Sequence, residues 1–161
     1  ALSGNVFATQ TLGIGDTATD LQTLGHNLAT YTNTVAQSAG LSTDAGRALA
    51  NEMSGTTNWT PEAIVRTART NRALTHATRL LINGRQNAVS KSGDAASASD
   101  FSLKWGKTAK LDAIRLMDAY ENKAQDPAGF DAIVKEFGGN KSARFKQALK
   151  DSTAIEQLVG Q

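Results

Sequence analysis

The chain has 161 residues, of which 40% are apolar and 20% charged, and its formal net charge is +2. That length corresponds to one domain able to bury about 70% of its unfolded surface, so a core can form without cross-links. Cys is absent, which excludes disulfides, thiolate metal sites, Cys nucleophiles and thiol redox relays.

Charge is unevenly spread. Residues 1–60 carry one Arg against four acids, residues 61–123 carry eleven bases against six acids, and residues 124–161 balance. Attraction to an anionic partner is therefore expected in the middle third. No run of 18 apolar residues occurs, so no membrane span is expected. The N-terminus lacks a basic segment followed by an apolar one, so no signal peptide is visible; a removed one is left open. The expectation is a soluble protein, either cytoplasmic or secreted and virion-associated.

Residues 1–15 are rich in Gly and Thr and read as an irregular arm. From Asp16 onward, Leu21, Leu24, Leu28, Tyr31 and Val35 recur at three- and four-residue steps, within roughly 80° of helical arc. This predicts an amphipathic helix stopped at Gly40. Thr30, Thr32 and Thr34 alternate along its last turns, and β-branched residues favour an extended ending there. Ser42 or Thr43 can cap a short helix reaching Met53, with Gly55 as its stop.

Thr60-Pro61-Glu62 supplies a hydroxyl cap, Pro at the first helical position and an acid in the first turn. The helix it opens is expected to end at Asn83-Gly84. Residues 90–100 are small and polar and read as a mobile linker. Phe101, Leu103 and Trp105 alternate with polar residues, as in a short extended segment.

Ala113, Ile114, Leu116, Met117 and Tyr120 predict another amphipathic helix. Asp126-Pro127 opens the next, with Phe130, Ile133, Val134 and Phe137 on one face and Gly138-Gly139 closing it. Phe145, Ala148, Leu149, Ile155, Leu158 and Val159 predict a last helix or helix pair, with Thr153 and Glu156 as an internal capping box. The fold class is therefore all-α. One domain over 1–161, a bundle of five to seven helices, is expected, with a division into two sub-bundles joined near 85–107 left open.

Motifs for nucleophilic catalysis, nucleotide phosphates, zinc or calcium are absent, so no cofactor or metal is expected. Gly13-x-Gly15 has the spacing of an anion-binding turn, but without Lys it reads as a flexible turn. His26 lies opposite the leucine stripe and reads as a surface residue. Acid pairs that meet only in space leave a small muralytic hydrolase as a minor alternative.

Two features carry functional content. Arg69, Arg72, His76 and Arg79 share an arc of about 80° on the helix after Pro61, with Arg66 at its edge. Such a stripe can hold phosphates or partner carboxylates; its structural reading is pairing with acids such as Asp16, Asp20 or Asp44. Residues 132–150 resemble a helix-turn-helix motif, which implies DNA contacts from Lys141, Ser142, Arg144 and Lys146. Phe145 and Leu149 fall about one residue late for that pattern. The expected function is a non-enzymatic helical module acting on a protein partner, in a virion or secretion assembly or as a secreted effector. Nucleic-acid binding through the stripe or the corner is the alternative, and oligomeric state is not legible.

Overall fold

The computed structural model describes residues 17–41, 46, 49 and 59–160. The arm expected over 1–15, the Gly13-x-Gly15 turn and most of the short helix expected after Ser42 lie outside the described residues. Among the described residues there are six α-helices and no strand: α1 (Thr17–Ser38), α2 (Pro61–Ser92), α3 (Ala96–Thr108), α4 (Leu111–Glu121), α5 (Pro127–Glu136) and α6 (Ala143–Gly160). No helix among them is long and apolar enough to cross a membrane.

α1 stays helical through its threonines. Thr30, Thr32 and Thr34 return their hydroxyl protons to the carbonyls of His26, Leu28 and Thr30, at 3.1, 2.6 and 3.2 Å. A β-branched residue that bonds its own preceding turn fits a helix in place of the expected extended ending. The helix stops where expected, with Gly40 at φ 62°. Its buried face is not the expected leucine stripe. Gly25, Thr32, Val35, Ala36 and Ala39 are buried, whereas Leu21, Leu24 and Leu28 are half-buried and Tyr31 is 53% exposed. Small residues allow close approach: the Trp59 ring occupies the space where a Cβ on Gly25 would lie.

α2 opens as predicted. Thr60 accepts a hydrogen bond from the Ala63 amide at 3.2 Å, and Pro61 follows it. The expected stop at Asn83-Gly84 is wrong, however, because α2 continues to Ser92. Gly84 is buried, and the Phe101 ring of α3 packs into the place of its missing side chain. This glycine serves a close approach, and the true stop is Gly93 at φ 71°, whose amide donates to the Val89 carbonyl at 2.8 Å.

The linker expected over 90–100 is likewise mostly helical. Residues 90–92 finish α2 and residues 96–100 begin α3, where Asp94 accepts from the Ala96 amide at 2.9 Å. The alternation at Phe101, Leu103 and Trp105 is not a strand. Phe101 and Trp105 are one helical turn apart and buried, and Leu103 points outward at 65% exposure. The Trp105 indole is fully buried and donates to the Ala39 carbonyl at 2.8 Å, tying α3 to the end of α1. α6 is one continuous helix, with Thr153 inside it bonded back to the Leu149 carbonyl.

Two apolar clusters form the core. The larger joins α1, α2, α3, the first half of α4 and Ile155 of α6 around Trp105. The smaller joins Leu116 and Ala119 of α4, Ile133 and Phe137 at α5, and Phe145 and Ala148 of α6. The two clusters thus meet inside α4 and α6, not near 85–107, where α3 folds back onto α2.

Gly84→Ala is expected to lower stability by about 1–3 kcal/mol through overpacking against Phe101, although Ala is the better helix former by about 1 kcal/mol. A denaturation midpoint at or above that of the wild type would contradict this packing.

Candidate functional site

The arginine stripe lies on the face of α2 that meets α4, and among the described residues Arg69, Arg72 and His76 pair with acids of the later two-thirds of the chain. Asp16 and Asp44 lie outside the described residues. Arg69 makes two parallel bonds to Asp126, Nε to Oδ2 at 2.9 Å and Nη2 to Oδ1 at 2.8 Å. Arg72 clasps Asp118 from Nε at 2.9 Å and from Nη2 at 2.8 Å, and its Nη1 lies 3.8 Å from Asp126. His76 Nδ1 is 3.3 Å from Glu121. Arg66 is exposed and adds its charge to the field around Glu136. Arg79 is exposed and has no ion pair among the described residues.

Those acids carry a signal in the sequence. Asp118 and Glu121 sit near the C-terminal end of α4, where the helix dipole disfavours negative charge unless a cation faces it. Their three-residue spacing matches the four-residue spacing of Arg72 and His76 on the facing helix. Asp126 has two tasks, since its Oδ1 also accepts from the Gly129 amide at 2.9 Å as the cap of α5. A Cβ on Gly129 would lie 2.9 Å from Arg69 Nε and closer still to the Asp126 carboxylate. Only glycine admits the guanidinium there.

A second set of pairs fixes the other end of α5. Arg115 of α4 is buried and bonds both Glu136 oxygens, at 2.7 and 2.6 Å. Arg144 of α6 holds Asp112 at 2.7 and 2.8 Å and stacks 4.5 Å from the Phe137 ring centre. The hydrogen bonds of Arg69 hold the Asp126 carboxyl below its usual range, against desolvation and with help from the Gly129 amide. Burial pushes Glu136 upward, but hydrogen bonding and charge from Arg115, with the charges of Arg66 and Arg144, outweigh it and leave the carboxyl lowered. A glycosidase acid needs the opposite shift.

The segment resembling a helix-turn-helix places α5 and α6 around a six-residue connection, 137–142, longer than the usual three or four. Both helices pack mainly on α4. Ser142 caps α6, accepting from the Phe145 amide at 3.0 Å and donating to the Phe137 carbonyl at 2.6 Å. Arg144 is held by Asp112. Lys141 and Lys146 are exposed. Two of the four expected DNA contacts therefore have structural partners, and Arg66 at the edge of the stripe and Arg144 of this corner both lie near Glu136.

Sequence reasoning missed the groove between the first half of α2 and α5. It encloses about 690 Å³, and its apolar lining comes from Pro61, Val65, Ala132 and Ile133. Arg66 and Lys135 stand among its charged residues, together with the Arg115–Glu136 pair. Val65 is 46% exposed. Its signal was Val65 itself, an apolar residue off the core stripe of α2.

Set against known protein families, characterised proteins and solved structures, the chain matches none of them.

Two tests follow from the ion pairs. Asp118 is buried, so Arg72→Ala strands its charge and should cost roughly 3 kcal/mol, whereas Arg79→Ala should stay within about 0.5 kcal/mol. Equal effects in urea unfolding would contradict the network.

The second test uses pH. Asp126 and Glu136 have folded values below their ordinary 3.8 and 4.5. Their stabilisation is complete above those values and is lost as pH falls through the lowered folded ones. Melting temperature should hold steady down to about pH 5 and then fall. Asp126→Asn combined with Glu136→Gln should lower the plateau and flatten the acid limb. An unchanged acid limb would show that other carboxylates control it.

Proposed function

We propose that the chain is a non-enzymatic helical module that docks a protein segment in the α2–α5 groove, as a subunit of a larger assembly or as an effector. The observation that carries this reading is Val65, a large aliphatic side chain left 46% exposed beside Ile133 in a groove walled by two helices. Exposed apolar surface of this kind, rimmed by polar groups, marks interaction sites, and helix-lined grooves take amphipathic segments. The charge around it sets the chemistry of the partner. Four bases and two acids line the groove, so the fitting segment carries apolar side chains toward Val65 and Ile133 and carboxylates toward Lys135.

Nucleic-acid binding is the second reading, favoured by Arg79, Lys141 and Lys146, which are exposed and make no ion pair among the described residues. One titration separates the two. In NMR, a helical peptide with Leu on one face and Glu on the other should shift the methyl resonances of Val65 and Ile133. A Lys counterpart of the same peptide should not, and Val65→Asp should abolish the response. Short duplex DNA at low salt should leave the spectrum unchanged. No groove shift with the acidic peptide would overturn the docking proposal, and salt-sensitive shifts with DNA around Lys141 and Lys146 would establish the second reading instead.

A further inference from the structure

Past the close contact at Gly84, the second half of α2 and the facing turns of α3 leave a hollow between them, and the end of α6 closes its third side. The cavity encloses about 380 Å³, within the range of small-molecule sites, roughly 300–1,000 Å³. It lies on the half of α2 remote from the α2–α5 groove. Its floor is apolar and continuous with the main core, since Phe101 is buried and Leu158 and Val159 of α6 pack against the larger cluster. The walls are fixed in advance. The Phe101 ring sits in the space left by Gly84. At the corner joining the two helices, Ser92 donates to the Ser97 hydroxyl at 2.9 Å, and Ser97 donates to the Asp94 carbonyl at 2.6 Å.

Charge at the rim sets what the hollow accepts. Lys91 stands on its α2 side and Lys104 on its α3 side. Lys104 is exposed and makes no ion pair among the described residues. Asp100 is the one acid among the described lining residues, so two lysines against one aspartate leave an excess of a single positive charge. We propose that this cavity binds a small amphiphilic monocarboxylate, with its carboxylate between Lys91 and Lys104 and its hydrocarbon body on Phe101, Leu158 and Val159. One negative charge matches the excess at the rim. A phosphate dianion exceeds that charge and brings nothing apolar to the floor. A docked helix does not fit, because a cube of this volume has an edge of about 7 Å, whereas an α-helix with its side chains is about 10 Å across. The apolar floor also makes affinity grow with the length of the hydrocarbon, by roughly fourfold for each methylene buried.

The test is an NMR titration of the full chain with octanoate, octylammonium and acetate, at neutral pH and constant ionic strength. Octanoate should shift the methyl resonances of Leu158 and Val159 saturably and leave those of Val65 and Ile133 in place. Acetate, which is the head group alone, should not, nor should octylammonium, which carries the same tail with the opposite charge. Hexanoate should bind more weakly than octanoate. Lys91 and Lys104 are both exposed, so reversing their charge leaves the packing of the helices unchanged. Lys104→Glu should weaken octanoate by roughly fivefold, and Lys91→Glu combined with it should transfer the response to octylammonium. Shifts that do not saturate, or an equal response to octylammonium in the wild type, would overturn the proposal by showing adsorption of the tail alone. Octanoate binding untouched by the double charge reversal would overturn it as well, because the carboxylate would then lie elsewhere. Either failure leaves the groove reading standing, since that reading is followed at Val65 and Ile133.

Discussion

The unbroken run of α2 through Gly84 is the constraint on which the arrangement of the other helices depends. Thirty-two residues of α-helix extend about 48 Å, long enough to serve as a common spine. The first half of that spine carries the arginines that reach α4 and the start of α5, and the second half receives α3. The absence of a side chain at Gly84 lets α3 approach the spine closely, because the Phe101 ring fills the space where a Cβ would stand. Phe101 in turn stacks near Trp105, with ring centres 6.3 Å apart, and the Trp105 indole closes on the last carbonyl before Gly40. A chain of three close contacts thus links the middle of α2 to the end of α1.

Electrostatics then organises the half of the molecule that the larger core does not reach. Among the described residues the smaller cluster has six buried apolar residues, and bidentate arginine–carboxylate pairs flank it. Their net contribution is set less by attraction than by what their removal would expose. Arg115 and Asp118 are more than nine-tenths buried, so each is tolerable only while its partner is present. Arg144 is more open to water and contributes less as a charge; its stacking on Phe137 adds a packing role.

Much of this fold was legible where the local code is chemical. Thr60-Pro61-Glu62, Asp126-Pro127, Gly40 and Gly138-Gly139 mark boundaries that the structure keeps, since each mark acts within its own turn. The residues that misled did so because their meaning is tertiary. Gly84 reads as a stop and Ser90 to Asp100 as a linker when only propensity is weighed, yet packing against Phe101 overrides the first, and the Gly93 cap together with the Asp94 turn, which accepts from the Ala96 amide, limits the second to three residues. The leucine stripe of α1 reads as core because its spacing is helical, but spacing states only that a face exists, not what covers it. The stripe of arginines was likewise visible as a stripe, while its partners were hidden because Asp118 and Asp126 lie 46 and 57 residues away along the chain. The groove, a gap between α2 and α5, left only Val65 as its trace in the sequence, because its other wall comes from a helix about 65 residues further along the chain.

The breadth of that gap is itself an electrostatic outcome. α5 is only ten residues long, too short to be stable alone, and each end is held by a carboxylate. Asp126 ties its first turn to Arg69 on α2, with Gly129 leaving room for the guanidinium, and Glu136 ties its last turn to Arg115 on α4. Between those two tethers Ile133 faces the smaller core and also lines the groove. Helix α5 therefore cannot slide along α2 without parting a paired charge, nor rotate without withdrawing Ile133 from its cluster. An apolar groove with one wall pinned in this way is already formed, so the proposed docking would meet little ordering cost. The same carboxylates make that wall responsive to acid, because protonating either one releases an end of α5 while the apolar lining stays the same.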